Sequence, residues 1–256
     1  MLARVHLYPA GTGASSTHLG SHRARLLPNT ERLSPQQRAR LPLSDREGVI
    51  RFRLEFTKAR PEVADLLIEL NAWRRILRMV GLVGQDPARY GGLGYGNLSL
   101  RLPSETRAEG QPRFVITGSQ TGRFTDLGPE DFAVVVTWDI DENLVVARGP
   151  IQPSSETMTH AAIYGADEGT RCVMHAHSPD IWGHAHELGI PTTSAAATYG
   201  TPAMAREVER VVHTSPARRI VAMEGHEDGV LAWGANVQAT GITLLTTLVQ
   251  AMQLRV

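Results

Sequence analysis

The chain has 256 residues, 42% apolar and 20% charged, enough to bury one substantial core without disulfides or structural metals. Its 26 basic residues balance 26 acidic ones, so no overall field favours nucleic acid, an anionic membrane or an acidic partner, and no apolar run approaches the ~18 residues of a membrane span. Lys58 is the only lysine, leaving imine chemistry one candidate amine in no recognisable motif, and the single Cys172 excludes an intramolecular disulfide and a cysteine zinc cage. A cytoplasmic location fits that cysteine usage.

Residues 1–46 lack an apolar period and carry Pro9, Pro28, Pro35 and Pro42, with seven arginines against Glu31 and Asp45. They read as a mobile N-terminal extension or a misplaced start site. An organelle transit peptide fits less well, because Pro9 and the glycines interrupt any amphipathic helix. Dispersed arginines with little aromatic interleaving are a weak signal for nucleic acid, so no nucleic-acid or membrane partner is expected.

The domain proper is expected over 47–256. Ile50, Phe52, Leu54 and Phe56 alternate with polar residues and predict a half-buried strand. Helical spacing of Val63, Leu66, Leu67, Leu70, Trp73, Leu77 and Val80 predicts a helix that stops at Gly81. After a glycine-rich link, 90–96, strands are expected at 97–102, 114–117, 133–138 and 144–147, the last two as a hairpin. Ser154 predicts the cap of a helix running to about Tyr164, followed by a strand at 171–176 and a helix begun by Ser178-Pro179. Thr201-Pro202 opens another helix; strands at 220–223 and 230–233 and a closing helix from Val237 to Met252 complete the pattern. Hairpins mixed with helices imply a mostly antiparallel or mixed sheet with helices packed on it.

Histidine is the chemically useful residue present in number, ten in all. In His175-Ala176-His177 the strand period of two puts both imidazoles on one face, with Cα atoms about 6.6 Å apart, so two rings can reach one ion. His184 and His186 lie in a predicted helix, where the same separation is a rotation of about 200°, and read as surface or packing residues. A zinc site normally takes a third protein ligand. His226, in a glycine-flanked turn, is the best placed of the remainder, whereas His213 reads as a solvated helix terminus and His6, His18 and His22 lie in the extension. Glu156 is expected in the first turn of the helix capped by Ser154. There it either only complements the helix dipole or, beside an ion, serves as a fourth ligand or as a base moving protons on carbon. Gly96-Asn97, Thr117-Gly118-Ser119 and Ser154-Ser155 are turns or helix starts with donors suited to an anion, and each alone reads as an ordinary turn or cap.

Taken in order, Gly96-Asn97-Leu98-Ser99, Ile116-Thr117-Gly118-Ser119, Pro153-Ser154-Ser155-Glu156 with His160, His175-Ala176-His177-Ser178 and Gly225-His226 resemble the class II aldolase and adducin family. The match resembles a short bacterial-type member and runs from about Val49 to the C-terminus. The resemblance implies a three-layer α/β/α fold around a mainly antiparallel sheet, and a homotetramer with active sites between subunits. It implies a divalent ion, Zn2+ first with Mn2+ or another ion as alternatives, on His175, His177 and His226. It also implies Glu156 as the acid/base carboxylate, and Gly96, Asn97, Ser119, Ser154 and Ser155 as the phosphate-holding positions.

The expected activity is that of a metal-dependent lyase on a small-molecule carbonyl or sugar-phosphate substrate, by aldol cleavage, dehydration or decarboxylation through a metal-stabilised enediolate. The alternative is an adducin-like scaffold that retains a metal site. Glutamate at 156 tilts the resemblance away from the epimerases, which carry aspartate there, and the three histidines tilt it away from the scaffold members. Two departures stand out. His226-Glu227-Asp228-Gly229 replaces a direct His-Gly step, so that two carboxylates would either add a ligand or repel a phosphorylated substrate. The 189–201 stretch is short, with alanines where sugar-phosphate aldolases bear the tyrosine they use as proton donor.

Overall fold

A computed structural model describes residues 49–61, 66–103 and 110–255. The 1–46 extension and Val63 lie outside the described residues. Among the described residues ten strands form: β1 Arg53–Lys58, β2 Gly84–Gln85, β3 Gly94–Tyr95, β4 Asn97–Arg101, β5 Phe114–Thr117, β6 Phe132–Asp139, β7 Leu144–Gly149, β8 Cys172–His177, β9 Ile220–Ala222 and β10 Gly229–Gly234. The α-helices among the described residues are α1 Leu67–Met79, α2 Thr157–Ala166, α3 Pro179–Gly183, α4 Pro202–Thr214 and α5 Val237–Gln253. Eight strands make one sheet in the order β1-β7-β6-β5-β4-β8-β10-β9, antiparallel throughout except for the edge pair β1–β7, which is parallel. β2 and β3 pair separately.

The period of two in the central strands builds two cores. Phe114, Ile116, Val173, Leu231 and Trp233 project to one side against Met158, Ala161 and Ala162 of α2 and Met204, Val208 and Val211 of α4. Leu98, Val115, Met174, Ala176, Val230 and Ala232 project to the other, against Leu67, Leu70 and Leu77 of α1, Ile181 of α3, and Val237 and Leu244 of α5. The result is the α/β/α sandwich that the family resemblance implies, with Cys172 buried and unbridged.

Local chemistry sets the ends. α1 stops where the N–H of Leu82 reaches the carbonyl of Leu77 and that of Gly81 reaches Arg78, a Schellman motif whose left-handed residue is Gly81 at φ 75°. Ser178, Thr201 and Asn236 each accept a bond from a backbone N–H of the helix they open, at Ile181, Met204 and Ala239. Ser154 does not cap α2 in this way. The helix begins at Thr157 with Glu156 in the N-cap position and no side-chain cap bond, after a turn in which the Thr157 N–H reaches the Ser154 carbonyl. α3 is also shorter than expected: His184 terminates it and His186 lies in the following turns. Lys58 ends β1 and donates from Nζ to the Pro150 carbonyl.

Candidate active site

β8 carries His175 and His177 on one face, as their spacing requires, and both are fully buried. His226 arrives from the tight turn joining β9 to β10, closed by bonds from the His226 N–H to the Met223 carbonyl and from the Gly229 N–H to the His226 carbonyl. Gly229 lies opposite His177 in the β8–β10 pairing, and a Cβ there would stand 2.9 Å from the His226 Nδ1, so glycine lets the third imidazole fold back over the strand. The three rings pack together, with centroids 4.8 Å apart for His175–His177, 5.1 Å for His175–His226 and 4.8 Å for His177–His226.

Ligand atoms of these three histidines lie within 4.8 Å of one another, and His175 Nε2 and His177 Nε2 are 3.0 Å apart. Two imidazole nitrogens on one tetrahedral zinc stand about 3.4 Å apart, given Zn–N bonds of about 2.0–2.1 Å. The spacing therefore suits one ion. His175 Nδ1 is 3.2 Å from the Val230 carbonyl, which only accepts; the proton thus sits on Nδ1 and Nε2 presents its lone pair to the cluster. Burial, reinforced by the neighbouring His226, holds His175 and His177 well below the ordinary histidine range, so both are neutral and available as ligands. The donor set fits a divalent ion with borderline-soft preferences.

Glu156 is buried beside this cluster without belonging to it. Its Oε2 accepts from the Thr159 hydroxyl at 2.9 Å, and its Oε1 stands 3.8 Å from His226 Nδ1. One oxygen is thus anchored and the other is turned toward the histidines.

All five anion-holding candidates, Gly96, Asn97, Ser119, Ser154 and Ser155, line one small cavity together with Gly118 and Gln120. Asn97 is the direct cross-strand partner of His175, and Ser155 precedes Glu156, so the cavity adjoins the histidine cluster. Its lining contains no cationic side chain. The backbone N–H groups of Gly118, Ser119 and Ser154 already bond Asp131, Gln152 and Thr117 carbonyls, so the donors the lining offers an anion are its hydroxyls, the Asn97 amide and the backbone N–H groups of Gly96 and Ser155. Asn97 Oδ1 is buried with no hydrogen-bond partner among the described residues. The cavity, about 10 Å³, has room for a single oxygen-sized atom.

His186 stays outside the centre, 3.3 Å from Glu224 on the surface, and His213 is exposed in the last turn of α4. His160 is buried, with Nδ1 on the Ser99 hydroxyl at 2.7 Å. Glu227 is exposed, and the Asp228 carboxylate accepts from the Tyr90 hydroxyl at 2.7 Å, so neither joins the ligand group. Sequence reasoning missed the aromatic walls. The Tyr90 ring stands edge-on to His177 at 4.5 Å, Tyr95 lies 5.6 Å from the same ring, and Tyr199 lies against His226 at 4.8 Å. Arg89 lies over both Tyr90 and Tyr95, and Arg51 over Tyr199. The available signals were the tyrosines of the 90–96 link and the acidic insertion after His226.

Comparison with known proteins agrees with this architecture. Methylthioribulose-1-phosphate dehydratase of Stenotrophomonas maltophilia (strain K279a) is 27% identical over 200 residues, covering 69% of this chain and 82% of that protein. The L-fuculose-1-phosphate aldolase of Thermus thermophilus superposes with a TM-score of 0.50 at 21% identity, over 74% of this chain and 91% of that one. A sugar-phosphate aldolase of Thermotoga maritima does so with a TM-score of 0.52 at 16% identity, over 73% and 91%. No helix among the described residues is long and apolar enough to cross a membrane. The family model described as "Class II Aldolase and Adducin N-terminal domain" matches residues 88–256, and the chain belongs to that family.

Proposed function

We propose that this enzyme of the class II aldolase type is a divalent-metal-dependent lyase acting on a small carbonyl or sugar-phosphate substrate by aldol cleavage, dehydration or decarboxylation. The observation that carries the reading is the convergence of His175, His177 and His226 beside the buried Glu156 carboxylate. A divalent ion there, zinc by the all-imidazole donor set, would supply Lewis acidity that stabilises an enediolate as a bond to carbon breaks. Glu156 takes and returns the proton: Thr159 fixes one carboxylate oxygen and leaves the other directed into the site. Gly96, Asn97, Ser119, Ser154 and Ser155 hold the substrate's anionic end through hydroxyls, the Asn97 amide and backbone N–H groups. The tyrosine rings and the buried strands limit water around the reacting carbons.

The same proposal makes 47–256 the catalytic domain with 1–46 appended to it, places the enzyme in the cytoplasm and takes the assembly as a homotetramer. Purified protein is expected to hold about one zinc per chain, and His175→Ala to lose both metal and activity. A screen for retro-aldol, dehydration and decarboxylation products, with Glu156→Gln as the metal-loaded but inactive control, identifies the reaction. Full metal content in His175→Ala would refute the ligand set, and silence across the screen by metal-loaded wild type would favour a scaffold.

A further inference from the structure

The acidic insertion after His226 has a partner far away in sequence. Asp228 accepts the Tyr90 hydroxyl proton at 2.7 Å through Oδ2, and the Arg89 guanidinium donates to the same Tyr90 oxygen and stands 3.9 Å from that carboxylate. Tyr90 and Asp228 both occupy the left-handed backbone region, at φ 49° and 61°, which residues with side chains adopt only where their surroundings hold them. The two ends of this bond grip different ligands. The Tyr90 ring packs edge-on against His177 at 4.5 Å, while Asp228 sits in the turn that presents His226, its own carbonyl accepting the Ser178 N–H at 2.8 Å.

Resting on the metal reading above, we propose that Tyr90 and Asp228 are positioning residues, a clasp that fixes His177 and His226 in the arrangement that binds the ion. Arg89 serves the clasp by balancing the Asp228 charge and stacking on Tyr90 and Tyr95, 4.8 and 4.9 Å from their ring centroids. The departure from a direct His-Gly step is then a device: Asp228 stays out of the ligand group and ties down the turn that carries His226. Outer groups of this kind commonly change metal affinity 10–100-fold.

The test uses the full chain, stripped of metal and titrated with Zn2+ against a chromophoric chelator and with Co2+ by its visible absorption. Tyr90→Phe, which keeps the ring, and Asp228→Ala are each expected to raise the zinc dissociation constant about tenfold and to shift the Co2+ spectrum. The double variant should do little more than either single one, and Asp228→Asn, which retains an acceptor, should recover much of the loss. A merely structural bond would lower thermal stability without moving the Co2+ spectrum. Wild-type affinity and spectrum in Tyr90→Phe, or fully additive effects, would overturn the clasp while leaving the metal reading intact. Wild-type protein that binds neither ion would instead overturn the metal reading, and the clasp with it.

Discussion

His160 makes the stability of this fold sensitive to mild acid. It is fully buried on α2, Nδ1 bonded to Ser99 Oγ at 2.7 Å, and that hydroxyl meets Tyr164 Oη at 2.8 Å. Burial lowers its pKa from 6.5 to about 3. The native imidazole therefore stays neutral at pH values where the unfolded chain binds a proton. Stability from this group is complete above about pH 6.5 and is lost as pH falls from there toward 3. At about pH 5 an ordinary histidine is almost wholly protonated when unfolded, so linkage sets the loss at about 2 kcal/mol relative to about pH 7.5. His175 and His177 are shifted in the same direction by burial and His226, and add to the loss. Urea unfolding of the metal-free protein, with chelator present so that competition between proton and metal is absent, measures this across about pH 7.5 to 5. His160→Gln can keep a bond to Ser99 but has no proton to gain. Less stable at neutral pH, it should lose about 2 kcal/mol less than wild type over the window. Equal pH slopes for the two proteins would refute the argument.

Gly225→Ala should be among the most damaging single-methyl additions, because its Cβ would lie 1.8 Å from the Ala197 carbonyl oxygen and two backbone segments must part. A loss of about 3 kcal/mol is expected, with zinc stoichiometry falling because His226 is the next residue; a wild-type melting temperature with full metal content would contradict this. Arg74 is buried on α1 and donates to the carbonyls of Thr121, Phe124 and Thr125 at 2.9–3.0 Å. Arg74→Met should cost about 3 kcal/mol and, because Thr121 and Gly122 line the anion cavity, raise KM more than it lowers kcat. An unchanged KM would separate that loop from substrate binding. Ser155→Ala should likewise weaken the substrate and free inorganic phosphate in parallel if the anionic end is a phosphoryl group, and the substrate alone if it is a carboxylate.

The two chemical centres differed in how far local pattern could reveal them. His175 and His177 were legible because a strand has a fixed period, so two residues settle where both rings point. β4, β5, β8 and β10 were legible for the same reason. Glu156 was assigned to the right neighbourhood but the wrong place in the helix. Ser154, Ser155 and Glu156 all have capping chemistry, and only the chain path through the Gly118–Pro153 bridge shows that a turn intervenes. The parallel edge pair β1–β7 depends on contacts across about ninety residues, which alternation does not encode. Tyr90 and Asp228 are 138 residues apart and share no period. The insertion after His226 suggested an extra ligand or a repulsive charge; only the tertiary fold shows that its aspartate faces a tyrosine.

The pairing of Asn97 with His175 has a consequence for substrate choice. Neighbouring strands stand about 4.8 Å apart whatever their side chains, a spacing set by backbone hydrogen bonds. One residue of the proposed anchor for the anionic end, Asn97, and one proposed ligand at the seat of bond cleavage, His175, therefore share a rung of one ladder, while Ser119, Ser154, Ser155 and His226 join them from turns. If the anionic end is held at Asn97, that fixed spacing acts as a ruler: homologous substrates one carbon longer or shorter should be rejected in kcat, because they are held with the wrong atom over the histidines.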